Sequence, residues 1–508
     1  MKYFANIKSI LSGIKINQVR FVLASNWRKL AAILISLFGL AIFIAAEYEL
    51  GSMIAHNGYV LAVTILIAIS VLIVTIAYPF WGYAMWFFLT CYLHLFNNIL
   101  PSKFNFDLNM FGILTLVLLL RSLSKKDLSI KPSIAEIFLV LFFIYAYILR
   151  RELGSRVVLE LPYLFMSPLF YYFIAKNIIK EKKHIYWLMI VIIVTGVSFA
   201  LMGIYEQVTG KMWLAGLVGG SKGLYAGTRS TGPAGHYYVY GNMMIIATLL
   251  CLHIMRWQQH LYSRLIIVAC TVTCIIGLYY GYSRAPYAAF VLSIIIMLIL
   301  ANHTRRAYAA FIVIAVSTVL ILLPIIQNRE LQTRMEANTL DVRAAFNKTS
   351  MNMFKANYWF GVGRDDYISN VPKYIAQGHL SRGKFGGIID YYSRPHSEYF
   401  LVLAELGITG FFLYFMTYFL FLIKFVRLKS RLSPDNVVGN DFTVVAIAFT
   451  LSVLLTMYTD EFGMHPYMYA IIFTIYAMVT KSEYFASKEK TCSGLNSIGS
   501  YNTTARRV

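Results

Sequence analysis

Three positions in this chain combine the residue types that move a proton and hold a diphosphate. Arg229 lies in "RSTGPAGHYYVYGN", Arg284 lies in "YSRAPYAAF", and His396 opens "PHSEYFLVLAELGITG". An imidazole titrates near neutrality and can take a proton from a hydroxyl. Guanidinium groups bind a diphosphate through paired, charge-assisted hydrogen bonds. A base and two arginines at a membrane surface suit group transfer from a phosphorylated lipid. Each residue also has a plainer role: an arginine at a span end anchors by snorkelling, and a histidine there caps a helix. Arg284 fits the plainer role least, because it sits in a very short outward turn where basic residues are disfavoured. Pro286 beside it suits the first turn of the next helix.

The elements that must position these residues are membrane spans. Of 508 residues, 59% are hydrophobic and 13% charged, far from the quarter charged that is usual for soluble domains. Runs long enough to cross about 30 Å of hydrocarbon recur near 30–47, 58–77, 79–98, 107–121, 132–149, 157–175, 184–205, 235–255, 264–282, 285–301, 306–326, 396–423, 442–458 and 463–480. The expected fold is an all-α polytopic bundle of twelve to fourteen spans, the third and fourth being the weakest. With a cytoplasmic N-terminus, most Lys and Arg of the short connectors fall inside, which sets the orientation. Arg229, Arg284 and His396 then share the outer end. The net charge of +22 is accounted for by topology and attraction to anionic lipid, and implies no nucleic acid.

Three regions divide the chain. Residues 1–29 read as a basic amphipathic cytoplasmic segment, 30–480 as the transmembrane domain, and 481–508 as a polar, disordered cytoplasmic tail. Two outward insertions interrupt the spans. Residues 206–234 should be an irregular loop against the bundle, and 327–395 a long functional loop containing an amphipathic helix within 330–357. None of the five cysteines falls in an outer loop, so no disulfide framework is expected. At ~100° per residue, Tyr399, Leu403, Gly407 and Gly410 lie within about 60° of His396, with Glu405 opposite. This stripe predicts a close helix neighbour and an inward-facing histidine.

Four stretches together resemble the O-antigen ligase and polymerase superfamily of bacterial envelope glycosyltransferases. They are "RSTGPAGHYYVYGN", "YSRAPYAAF", "NYWFGVGRDDY" with Gly361 and Gly363, and "PHSEYFLVLAELGITG", which is the most specific. The likeness spans roughly 200–425. It implies a GT-C-like, metal-independent enzyme of the bacterial inner membrane, with its site on the periplasmic face and no cofactor. The donor would be a glycan on undecaprenyl diphosphate, and the acceptor a lipid-linked glycan or a lipid A core. A flippase and a chain-length regulator would be its partners. By this resemblance His396 is the general base, and Arg229 and Arg284 bind the diphosphate; Arg364 and Arg394 are further donor or sugar contacts. Ser397 replaces the family's usual Asn, and Pro286 stands where small residues usually follow the arginine.

Residues 372–392, rich in Tyr and Lys, favour the polymerase over the ligase as a sugar-stacking surface. A transporter or flippase is the alternative, for which Glu136, Glu160, His94 and His253 are the mid-depth groups; they form no repeated pattern. "GVG" follows no strand and fails as a nucleotide loop, and GxxxxGK[ST] is absent. Arg150, Arg151 and Arg156 are outward on this topology without an assigned role.

Overall fold

The computed structural model describes residues 69–70, 73–92, 112–120, 132–149, 160–211, 229–300, 339–376, 394–432, 438–461 and 466–504. The expected segment 1–29, the spans 30–47 and 306–326, and Arg150, Arg151 and Arg156 lie outside them. The chain divides into two compact units, one of 1–86 with 99–130 and the other of 87–98 with 131–508. All the candidate site residues belong to the second unit.

The described residues form helices and no strand. In chain order they are α1 (Pro79–Thr90), α2 (Ile134–Ile148), α3 (Glu160–Ile178), α4 (Lys182–Thr209), α5 (Tyr237–Met255), α6 (Leu261–Tyr280), α7 (Arg284–Leu300), α8 (Thr339–Ala356), α9 (Tyr367–Tyr374), α10 (Glu398–Lys429), α11 (Asn440–Met457) and α12 (Pro466–Thr504). Five of them, α4, α5, α6, α10 and α11, are long and apolar enough to cross a membrane. The protein is a polytopic helical membrane bundle. With the backbone satisfied internally, helices are one of the two ways a chain can cross hydrocarbon.

Burial ranks the helices. The apolar window of α5 is 94% buried, that of α6 only 28%. Thus α5 is the central post, surrounded by α4, α6, α7 and α11, and α6 turns its apolar side chains outward to lipid. Pro286 of α7 packs on Gly241 of α5, where an added Cβ would come within 2.6 Å of the proline ring. That close approach fixes the start of α7, and with it Arg284. Beyond α5, α10 packs on α2, α8 and α11. Between α10 and α12 the core is aromatic: the Tyr476 ring centre lies 4.6 Å from that of Phe421 and 5.1 Å from that of Phe425.

One expectation needs correction. The apolar run from 396 to 423 is not one continuous helix: within α10, Gly407 has φ 64° and ψ −167°, which divides it into a short arm before Gly407 and a long spanning arm after it. Periodicity counted across the break from His396 therefore fails, and Gly407 is not a helix-packing glycine on a stripe.

Candidate functional site

The break in α10 is built by the "NYWFGVG" turn that follows α8. A helix interrupted at Gly407 loses backbone partners on both sides, and the turn replaces them. Val362 N–H donates to the Ala404 carbonyl (2.9 Å), Gly363 N–H to the Glu405 carbonyl (3.0 Å), and Ile408 N–H to the Tyr358 carbonyl (2.9 Å). Tyr145 Oη of α2 donates to the Leu406 carbonyl at 3.0 Å. The two backbones run so close that a Cβ on Gly361 would lie 2.3 Å from the Glu405 carbonyl carbon, and one on Gly407 2.5 Å from that of Trp359. Both positions also have positive φ, so glycine is required twice over.

Arg364 follows this turn. Its Nη1 meets Glu405 Oε2 at 2.9 Å, with Glu405 0% and Arg364 7% exposed. The guanidinium thus points into the packed turn, toward α10, with Nη1 on Glu405. The Glu405, Asp365, Glu398 and Tyr469 side chains outweigh burial and raise its pKa above the ordinary arginine value.

The short arm of α10 carries His396 at its entrance. His396 has φ 50°, a left-handed conformation that is uncommon for a residue with a side chain. Its N–H donates to Glu461 Oε1 at 2.8 Å, and Glu398 N–H donates to the Asp460 carbonyl at 3.0 Å. The strained backbone is therefore held by the segment after α11, which directs the imidazole toward Phe346 of α8, ring centres 6.0 Å apart. His396 remains exposed on one side. Burial of its other side and the nearby Arg343 guanidinium lower its pKa below the usual imidazole value. At neutral pH it is uncharged, the form that can accept a proton.

The Arg229 segment folds against the same end of the bundle. Thr231 and Gly232 N–H groups both donate to Glu206 Oε2 at 3.0 Å, Ser230 Oγ donates to the Gly203 carbonyl at 2.6 Å, and Ser230 N–H donates to the Tyr280 carbonyl at 3.1 Å. Tyr467 Oη ties the segment to α12 through the Ala234 carbonyl at 2.7 Å. The Tyr280 contact sets Arg229's strand of loop beside the α6–α7 hairpin, whose exposed tip is Arg284. Arg229 lies over the Tyr237 ring, 4.4 Å from its centre, and its buried Nε has no acceptor among the described residues.

From Tyr237 a row of groups leads toward His396. The Tyr237 and Tyr238 ring centres are 4.6 Å apart, Tyr238 Oη accepts from Arg343 Nη2 at 3.1 Å, and Arg343 is one helical turn from Phe346. His236 Nδ1 lies 3.3 Å from Asp460 Oδ2. Burial, reinforced by Glu461, pushes the Asp460 carboxyl well above its ordinary value. Burial also pushes Glu461 up to about 8, against the opposing pull of Arg394 and the His396 N–H. Glu461 is thus held toward its neutral form at pH 7.

Arg229 and His396 accordingly reach one end of the bundle through a continuous set of contacts, with Arg284 at its rim and Arg394, half-buried, close enough to Glu461 and Glu405 to act on both. Arg343, Asp460 and Glu461 were not singled out by sequence reasoning. "TDEF" (459–462) offered a signal, two adjacent acids between spans in a chain with only 23 Asp and Glu. Of the transporter groups, Glu136 is satisfied by Lys176 at 2.7 Å and Tyr172 at 2.6 Å, at the opposite end of the bundle. His253 is buried beside Phe442. The Glu160 side chain, His94, and most of the stretch 372–392 lie outside the described residues.

Residues 269–415 match the family model described as O-antigen ligase. The match takes in Arg284, Arg343, Arg364, Arg394 and His396, but not Arg229, Asp460 or Glu461. No curated protein matches the chain.

Proposed function

From the O-antigen ligase match, which supports the O-antigen ligase and polymerase superfamily and a membrane glycosyltransferase of that type, we propose a specific transfer. A glycan passes from undecaprenyl diphosphate to an acceptor hydroxyl at the outer, periplasmic end of the bundle in the bacterial inner membrane. His396 accepts the proton of the acceptor hydroxyl as the acceptor oxygen bonds to the anomeric carbon of the donor. The bond from that carbon to the diphosphate oxygen breaks, and the electron pair leaves with the lipid diphosphate. Arg229 and Arg284 hold that leaving group where its charge develops. Arg394 supports the same end, whereas Arg364 positions the helix break through Glu405.

The observation that carries this reading is His396, fixed by a left-handed backbone and a Glu461 hydrogen bond at the end of the bundle that also holds Arg229. A merely capping histidine would need neither that conformation nor those neighbours. We assign the next lipid-linked repeat unit as acceptor of the growing chain, which makes the protein a polymerase. Glycan length in cells lacking the gene tests the choice. Single repeats still attached to their final acceptor mean a polymerase, whereas long chains stranded on the carrier lipid mean a ligase.

A further inference from the structure

We propose that Arg343 is a third diphosphate-binding cation, gripping the lipid diphosphate together with Arg229 across the shelf formed by Tyr237 and Tyr238. This rests on the reading above, in which the donor is a polyprenyl diphosphate, and adds a binding residue to it.

Arg343 comes from α8, an outer helix, yet its half-buried guanidinium reaches into the bundle end and donates to a neutral phenol, Tyr238 Oη, at 3.1 Å. Among the described residues it forms no ion pair with a carboxylate. The acid acting on it is Asp460, whose carboxyl faces His236 Nδ1 at 3.3 Å. On the other side of the shelf, Arg229 packs over Tyr237 with a buried Nε that no described group accepts. Among the described residues neither guanidinium is paired with a carboxylate, and the Arg229 Nε is a buried donor without an acceptor, which is costly. A ligand with two linked phosphate groups supplies acceptors to both. The two tyrosine rings lie between the cations, and the Asp460 carboxyl beside them faces His236 Nδ1 at 3.3 Å.

The position of Arg343 also relates the grip to the chemistry. Arg343 and Phe346 lie one turn apart on α8, and Phe346 stands against the His396 ring. A diphosphate held by Arg343 would therefore place the bond to be broken beside the base. Arg284, exposed at the rim, would meet the same ligand from the hairpin side.

The test uses the purified full-length protein in nanodiscs and geranylgeranyl diphosphate as the probe, with geranylgeranyl monophosphate and geranylgeraniol as comparisons. Wild type, Arg343→Met and Arg343→Lys are titrated calorimetrically, and their unfolding temperatures are recorded without ligand. Loss of a charge-assisted contact should weaken diphosphate binding by about 10- to 100-fold in Arg343→Met. It should also shrink the preference for diphosphate over monophosphate, with partial recovery in Arg343→Lys. If the two variants bind the diphosphate within about twofold of wild type, Arg343 is only a tether for α8 and the proposal fails while the donor reading stands. If wild type itself does not prefer the diphosphate to the alcohol, the donor reading fails and Arg343's role falls with it. Weaker binding in Arg343→Met with a lowered unfolding temperature, but no recovery by Arg343→Lys, likewise identifies a structural tether and overturns the proposal.

Discussion

Arg364 separates two accounts of the same residue, because a sugar contact and a buried structural cation respond differently to removal. Replacing it with Met keeps much of its volume but leaves Glu405, 0% exposed, without the guanidinium 2.9 Å away. Removing one partner of a buried pair costs on the order of 3–5 kcal/mol, because the remaining charge stays desolvated. Both side chains are below a tenth exposed, so solvent does little to screen the effect. Adding Glu405→Gln removes the stranded charge and should bring the protein back to within about 1–2 kcal/mol of wild type. The coupling of the two sites in the double-mutant cycle should then be roughly 2 kcal/mol or more. Unfolding of the purified protein in mixed micelles with increasing denaturing detergent measures all four corners. An Arg364→Met protein as stable as wild type, with transfer activity lost, would refute the structural assignment and return Arg364 to the substrate.

Other consequences follow from the same geometry. Gly407→Ala forces a Cβ to 2.5 Å from the Trp359 backbone at φ 64° and ψ −167°. It should cost about 2–5 kcal/mol in the same unfolding assay, from backbone strain together with overpacking. The rate of transfer should fall as pH drops through the His396 pKa, since protonation removes the base. That pKa is lowered by burial and by Arg343, so activity should persist further into mildly acidic buffer than an ordinary imidazole allows; Glu461, Asp460, Arg394, His236 and Arg229 also face this end. A rate–pH profile with its acid limb above the usual imidazole value would contradict the assignment. Glu461→Gln keeps an acceptor for the His396 N–H and removes a group that burial has raised to about 8. The folded form of that carboxyl binds its proton more tightly than the unfolded one, so its stabilising contribution is present at low pH and lost as pH rises toward 8. Unfolding measured from pH 5 to 9 should therefore fall less steeply in Glu461→Gln than in wild type.

Much of the architecture is legible in the sequence because hydrophobic length is a local property. The runs at 184–205, 235–255, 264–282, 285–301 and 442–458 correspond to α4, α5, α6, α7 and α11 within a few residues. The break at Gly407 is not legible in that way, because it depends on a turn some 45 residues earlier whose backbone supplies the missing hydrogen bonds. A glycine that lets two helices touch and a glycine that ends one look identical in a hydrophobic run. The site divides similarly. His396, Arg229 and Arg284 stand out as polar groups at span ends, whereas Arg343 is one basic residue on an amphipathic helix, and only folding places it beside Tyr238 and His396. Arg364 is visible in the sequence as a cation beside "GVG", but its contact with Glu405, 41 residues away, is not.

The most direct test of the central claim is transfer by the purified protein from an undecaprenyl diphosphate-linked glycan, comparing wild type with His396→Ala and His396→Gln at matched protein levels and unfolding temperatures. General-base assistance contributes about 10²–10⁴-fold, so both variants should lose at least 100-fold in turnover, while their affinity for the lipid diphosphate stays near wild type. Turnover within a few-fold of wild type in folded His396→Ala would contradict the account and leave His396 as a helix cap.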